Sequence, residues 1–441
     1  MTGFFSVKRL GTDFTWVLSG NLLYSVCQWG IVIALAKLGN TEQVGEYALG
    51  MAVSAPIVLF ASLQLRALLA SELRDRFTFG QYLTFRLVSL GAALLLVAGA
   101  VACMQMKWRL GVTVVLVGFA QALEFVSETY YGLMQKHERM DRIAGSLLLK
   151  GPLSLAALCG AMYLTRNIVW AVIGLALGRL LVLLFWDSRL DFAKVESSGF
   201  TARLEWNSGE MLTLLRMALP LGVISMLISL NSSIPRYFVE VHAGSAELGI
   251  FSAIASLLSA GNLVVSAFGQ SIFLPVARAC EARDRAKYRG YVVLAAALGG
   301  SLGGVAILAA VLFGGGILTH LFRPEYGERP DILVRLMIAG TIMFIGSGLG
   351  YVITAARSLR PQIPVLLAAA IAATATSVWS IPRHGLSGAA DAALASALVQ
   401  LMGTGAMLLK IDRHLQRSAG LFLALHGQAS PALRSTKAET T

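Results

Sequence analysis

Apolar residues fall in long blocks along the chain, each close to the 20 or so residues that a helix needs to cross a bilayer, with the polar residues gathered between them. About twelve blocks can be drawn: Phe14 to Leu38, Val44 to Leu69, Tyr82 to Met106, Leu110 to Met134, Ile143 to Leu164, Ile168 to Trp186, Met217 to Val239, Ala246 to Val276, Tyr291 to Phe313, Ile332 to Ala356, Ile363 to Ile381 and Leu386 to Leu409. The pattern predicts an all-α, polytopic membrane protein. Lys8 and Arg9 before the first block imitate a signal peptide, but the block is too long and lacks a small-residue cleavage site, so it reads as the first span.

An even number of spans returns both termini to one side. With that side placed in the cytoplasm, the inner connections and tails hold 26 of the 36 lysines and arginines, the bias expected of cytoplasmic loops. The outer connections are short, the longest running from about His320 to Asp331, and leave no external domain for a soluble active site. The longest inner connection, Asp187 to Arg216, divides the chain near its middle. The expected organisation is a six-helix bundle over 1–190, a cytoplasmic linker over 191–212, a second six-helix bundle over 213–415 and a disordered cytoplasmic tail over 416–441.

A short repeat supports the division. Val44-Gly45-Glu46-Tyr47-Ala48 opens the second span and Leu248-Gly249-Ile250-Phe251-Ser252 opens the eighth. Six spans per half make the repeats parallel, related by an axis along the membrane normal, so that the halves can rock about a central cavity.

Composition agrees: 56% of residues are hydrophobic and 14% charged, with a mean hydropathy of +0.70. The net charge of +12 is spread over many short loops rather than a basic arm or patch, so no nucleic-acid partner is expected. Cys27, Cys103, Cys159 and Cys280 stand apart, and the six histidines show no i,i+4 pair, so neither a metal nor a cofactor is expected.

A charge at the bilayer centre costs about 2.5 to 3.5 kcal/mol on insertion scales, so intramembrane ionisable residues are the first functional candidates. Gln121, Glu124 and Glu128 share one face of the fourth span. Counted from Leu110, Glu124 lies about 21 Å and Glu128 about 27 Å down the helix. Glu124, and with less depth Glu128, can carry a coupled proton or pair with a basic neighbour. Arg179, about 17 Å into the sixth span, is the deepest cation, either a phosphate ligand or the partner of Glu124. Gly174 and Gly178 beside it permit close helix approach.

Arg66 reads as a substrate contact or as a snorkelling side chain. Asp391, about 8 Å inside the twelfth span, sits among Gly388, Ala389, Ala390 and Ala392, where a helix-to-helix hydrogen bond competes with proton coupling. Asn21, Tyr24 and Gln28 in the first span, with Asn262 and Gln270 in the eighth, either line a cavity or bridge helices. Pro56 is the best interior hinge candidate. Arg236, counted from Met217, falls about 29 Å along the seventh span at the outer boundary, where anchoring competes with a role at an outer gate; Glu240 at i+4 is its candidate partner.

Three blocks carry a family likeness. LNSSIPRYFVEVHAGSAELGIF (Leu230 to Phe251), ETYYGLMQKHERMDRIAGSLLLKGPLSL (Glu128 to Leu155) and GLSGAADA (Gly385 to Ala392) resemble the bacterial polysaccharide or O-antigen flippases, over almost the whole chain. The resemblance implies the multidrug and oligosaccharidyl-lipid exporter fold, two six-helix bundles in a V around a cationic central cavity. It also implies a short glycan on undecaprenyl pyrophosphate as substrate, moved to the outer leaflet of the inner membrane against a cation, with H+ the expected one. Membrane lipid and the polysaccharide polymerase and export machinery are the implied partners. Small-molecule efflux on the same fold is the nearest alternative, and a membrane-embedded glycan polymerase or ligase the next. The short outer loops argue against an enzyme.

Overall fold

The computed structural model describes residues 7–72, 76–189, 204–356 and 361–427, and every regular element among them is helical. The first half comprises α1 (Val7–Leu38), α2 (Thr41–Ser62), α3 (Leu65–Ser71), α4 (Phe79–Cys103), α5 (Trp108–Lys136), α6 (Met140–Thr165) and α7 (Ile168–Val182), which ends in a π-turn, Leu183–Asp187. The second comprises α8 (Ser208–Ser256), α9 (Leu258–Glu281), α10 (Arg285–Leu321), α11 (Pro324–Gly327), α12 (Pro330–Ala355), α13 (Gln362–His384) and α14 (Leu386–Gly427). The expected linker lies largely in residues 190–203, outside the described residues. Of the tail expected to be disordered over 416–441, the residues as far as Gly427 continue α14, with no proline between Leu409 and Gly427 to stop the helix; residues 428–441 lie outside the described residues.

Among the described residues, eleven helical stretches are long and apolar enough to cross a membrane, the longest being the 74 residues from Ser208 to Glu281. A straight helix of that length would measure about 111 Å, against a hydrocarbon core of about 30 Å. It turns back at Gly244, whose φ of 82° falls in the left-handed region that a side chain would resist. The break yields two passes and a total of twelve, as the apolar blocks predict. The corresponding turn in the first half falls at Asn40, which caps α2 by accepting the Gln43 N–H while the Gln43 side chain accepts the Asn40 N–H. Asn40 and Gly244 stand 204 residues apart, the offset of the sequence repeat.

The second span does not break at Pro56. α2 passes through Pro56 and gives way at Leu63 and Gln64, both left-handed with φ near 50°, before α3 resumes. Proline removes the N–H that would reach the carbonyl four residues earlier. That carbonyl, Ala52 O, accepts a hydrogen bond from the Tyr237 hydroxyl of α8 instead. A partner from the opposite half thus does the work of the lost backbone donor, and the helix stays whole.

The halves meet mainly along α2 and α8. Near the turns, α2 crosses the second part of α8 so closely that a methyl group on Gly45 would lie 1.7 Å from the Ser245 carbonyl oxygen, and one on Gly249 would lie 1.9 Å from Thr41 O. At the arginine-rich end, Gly222 packs on Leu63 and the Phe60 carbonyl, Gln64 donates to Ser225 Oγ at 2.9 Å, and Thr78 donates to Glu205 at 2.6 Å.

Candidate functional site

Between the halves, α1, α2, α8 and α9 enclose a cavity of about 620 Å³, within the usual range for small-ligand sites. Its polar wall is a helical ladder. Ser252, Ser256, Ser259, Asn262 and Ser266 recur at intervals of three or four residues and so share a face of the eighth span. Opposite them stand Tyr24, Gln28 and Trp29 of α1 and Tyr47 of α2, and Trp29 donates to Ser256 Oγ at 3.2 Å across the gap.

Arg236 is the only charged side chain on this wall among the described residues. Counting from Met217 would place it at the outer boundary, but α8 continues for seven residues beyond it before reaching Gly244. That extra length draws the guanidinium into the cavity. Its Nε is buried without a hydrogen-bond partner, and Glu240, its candidate partner, receives the Ser245 hydroxyl at 2.7 Å instead. An unpartnered cation beside a polar wall is suited to an anionic group.

Arg179 sits elsewhere. It is 6% exposed inside the first half, its Nε 3.4 Å from Glu124 Oε2, and it donates to Ala120 O at 2.8 Å and to Gln28 Oε1 at 3.3 Å. Gln28 donates to the Tyr24 hydroxyl, which in turn donates to Glu124. The four side chains close a ring joining α1, α5 and α7, in which Arg179 and Glu124 are partners. Since Tyr24 and Gln28 also face the cavity, the ring reaches its wall although neither charge does.

The remaining candidates fall apart from the cavity. Arg66 lies 3.8 Å from Glu128, accompanied by Gln135 Oε1 and the Tyr131 ring. Asp391 accepts from Arg335 at 3.2 Å and from Ser380 at 3.3 Å, ties between neighbouring helices. Asn262 lines the cavity, whereas Asn21 and Gln270 are exposed and outside it.

Several buried groups were not singled out from sequence. Arg86, fully buried, donates to Ser62 O at 2.6 Å and Thr129 Oγ1 at 3.0 Å. Lys150 and Asp187, both with fully buried side chains, pair at 3.2 Å with Ser146 and Tyr131 completing the set. The serine ladder of the eighth span had a legible signal in its three- and four-residue spacing. Serines bridging helices show the same spacing, however, so it does not by itself mark a cavity.

Residues 10–278 match the family described as polysaccharide biosynthesis protein. The chain belongs to that family. This polysaccharide biosynthesis protein is 26% identical over 397 residues to the capsular polysaccharide biosynthesis protein CapF of Staphylococcus aureus, covering 88% of the chain and 97% of the relative. Its fold is similar to that of the lipid II flippase MurJ in an inward closed conformation, with a TM-score of 0.66, 10% identity and 90% of each chain covered. It is also similar to an inward-facing multidrug resistance MATE family transporter of the MOP superfamily, with a TM-score of 0.64, 14% identity, and 89% of this chain and 96% of that one covered. The all-α exporter fold expected from the sequence is therefore the fold of this polysaccharide biosynthesis protein, a multi-pass membrane protein.

Proposed function

We propose that the chain is a flippase that carries an undecaprenyl-pyrophosphate-linked oligosaccharide from the cytoplasmic to the outer leaflet of a bacterial inner membrane, for capsule, exopolysaccharide or lipopolysaccharide assembly. The observation that carries this reading is Arg236, an unpaired guanidinium facing a cavity walled by serine hydroxyls, an asparagine amide and aromatic rings. Guanidinium matches phosphate oxygens, while hydroxyls, amides and ring faces suit a sugar. Arg236 takes the pyrophosphate, and the ladder from Ser252 to Ser266 takes the glycan. Membership of the polysaccharide biosynthesis family and the relative's capsular role support the substrate class. A cavity whose one charged group is an arginine disfavours efflux of cationic drugs.

The two halves alternate access by rocking, with the termini in the cytoplasm and a cation, H+ first, moving the opposite way. Glu124 is the coupling candidate. A proton on its carboxyl would weaken the bond to Arg179 and free Tyr24 and Gln28 to rearrange at the cavity wall. Glu128, bound to Arg66, and Asp391, bound to Arg335, serve as structural pairs.

The test combines surface-glycan assembly in a deletion host with binding of undecaprenyl pyrophosphate to the purified protein. Arg236→Ala is expected to abolish both at normal protein level, with partial rescue by Arg236→Lys. Full glycan assembly by Arg236→Ala removes the arginine from the mechanism. Assembly untouched by deletion of the whole chain removes the flippase reading.

A further inference from the structure

The crossing of α2 and α8 near the two turns contains a pair of carboxyl groups that neither the cavity nor the ring around Arg179 uses. Glu46 follows Gly45 directly. It is 8% exposed, its Oε2 is buried without a hydrogen-bond partner, and it forms no ion pair among the described residues. Glu240 stands four residues before Gly244. Its Oε1 takes the Ser245 hydroxyl, and its Oε2 is likewise buried and unpartnered. The charged groups that act on Glu46 are, strongest first, Arg109 at the start of α5, Glu42 on its own helix and Glu240 on α8; Glu42 also acts on Glu240. Two of the three neighbours of Glu46 are therefore acids, and the one cation, Arg109, is exposed.

An ionised carboxylate withdrawn from water without a partner is strongly disfavoured, and a second acid nearby disfavours it further. A bound proton removes both terms. The glycine contact shows why these groups are withdrawn. With Gly45 and Gly249 in backbone contact, the seam excludes water, and separating the two helices there would hydrate both carboxyls.

We propose that Glu46 and Glu240 form a proton-binding latch, which closes this end of the cavity when both carboxyls are protonated and opens it when they ionise. Closing takes up protons from the solution at that face, and opening returns them to it. The latch lies at the turn end of α2 and α8, away from Glu124, so it sets the equilibrium between closed and open forms whether or not Glu124 couples transport. It does not depend on the identity of the substrate.

The measurement is a distance between spin labels across the seam on the full chain in nanodiscs. Labels at Lys37→Cys and Glu325→Cys, with the four native cysteines replaced, flank the contact in which Arg323 donates to Lys37 O at 3.0 Å. The closed-to-open ratio is expected to fall by about tenfold or more between pH 5 and pH 8, the consequence of at least one unit of difference in proton affinity between the two states. In Glu46→Gln with Glu240→Gln, both isosteric and neutral, the seam is expected to stay closed at every pH. A pH-independent wild type, a response that survives in the double variant, or a Na+ response at constant pH in place of the proton response overturns the latch. No glycan enters the measurement, so its failure leaves the flippase reading standing, and failure of the flippase reading leaves the latch to be judged by the same distances.

Discussion

The Tyr237 hydroxyl donates to the backbone carbonyl of Ala52, the carbonyl that Pro56 leaves without its helical donor. The bond joins the two halves and repairs a helix in one step. Tyr237→Phe is expected to cost about 1 to 2 kcal/mol, the penalty of an unsatisfied buried carbonyl. In a Pro56→Ala background the helix supplies its own N–H, and the same substitution becomes nearly neutral. A double-mutant cycle read by thermal melting in detergent checks this; equal costs in both backgrounds would contradict the assignment.

Gly45 and Gly249 leave no room for a methyl group. Gly45→Ala places a carbon 1.7 Å from the Ser245 carbonyl oxygen, and only separation of the backbones relieves that overlap. Closure should be disfavoured by at least about 3 kcal/mol, the upper range for overpacking. Labelling of Ser256→Cys in the cavity by a membrane-impermeant thiol reagent added outside is expected to rise in Gly45→Ala and in Gly249→Ala. Unchanged labelling would mean that the crossing does not seal the cavity.

Arg179 and Glu124 are both largely buried, so removing either strands the other. Arg179→Met is expected to lose about 3 to 5 kcal/mol, while Arg179→Met with Glu124→Gln recovers much of that loss. Arg236→Ala, which breaks no ion pair, should melt close to wild type while losing lipid binding. These opposite signatures separate an internal pair from a substrate ligand and can be read from melting temperature and binding on the same preparations.

Lys150 and Asp187 form a fully buried pair at the π-turn that ends α7. Asp187→Asn is expected to lower stability by about 3 to 5 kcal/mol, and Lys150→Met with Asp187→Leu to restore most of it. Protease resistance and detergent melting report the outcome. Similar resistance in the single and double variants would show that the pair is not carrying that turn.

The blocks of apolar residues laid out twelve passes, and the structure has twelve because each block needs a full bilayer width and little else. Gly244 falls in the polar gap between the blocks that end at Val239 and begin at Ala246, so a turn there was legible, whereas the left-handed backbone that makes it, inside a helical run from Ser208 to Glu281, was not. Glu124 and Arg179 were legible as possible partners, since depth along a helix follows from counting residues. Arg236 was not placed by the same counting, because its depth depends on where the helix turns, and the turn falls at Gly244, beyond the end of the apolar block.

Taken alone, the sequence determined the class of the molecule: a polytopic all-α membrane protein with its basic residues biased to one set of connections and a family likeness to polysaccharide flippases. These follow from transfer free energies, charge bias and short motifs, all properties of residues in order along the chain. The tertiary structure decided which polar groups meet. Helical spacing fixes the face a side chain occupies but not what that face opposes. The packing of α1, α5 and α7 closed Arg179 into a ring with Glu124, while that of α2 on α8 buried Glu46 and Glu240 without partners at the seam and left Arg236 unpaired on the cavity wall.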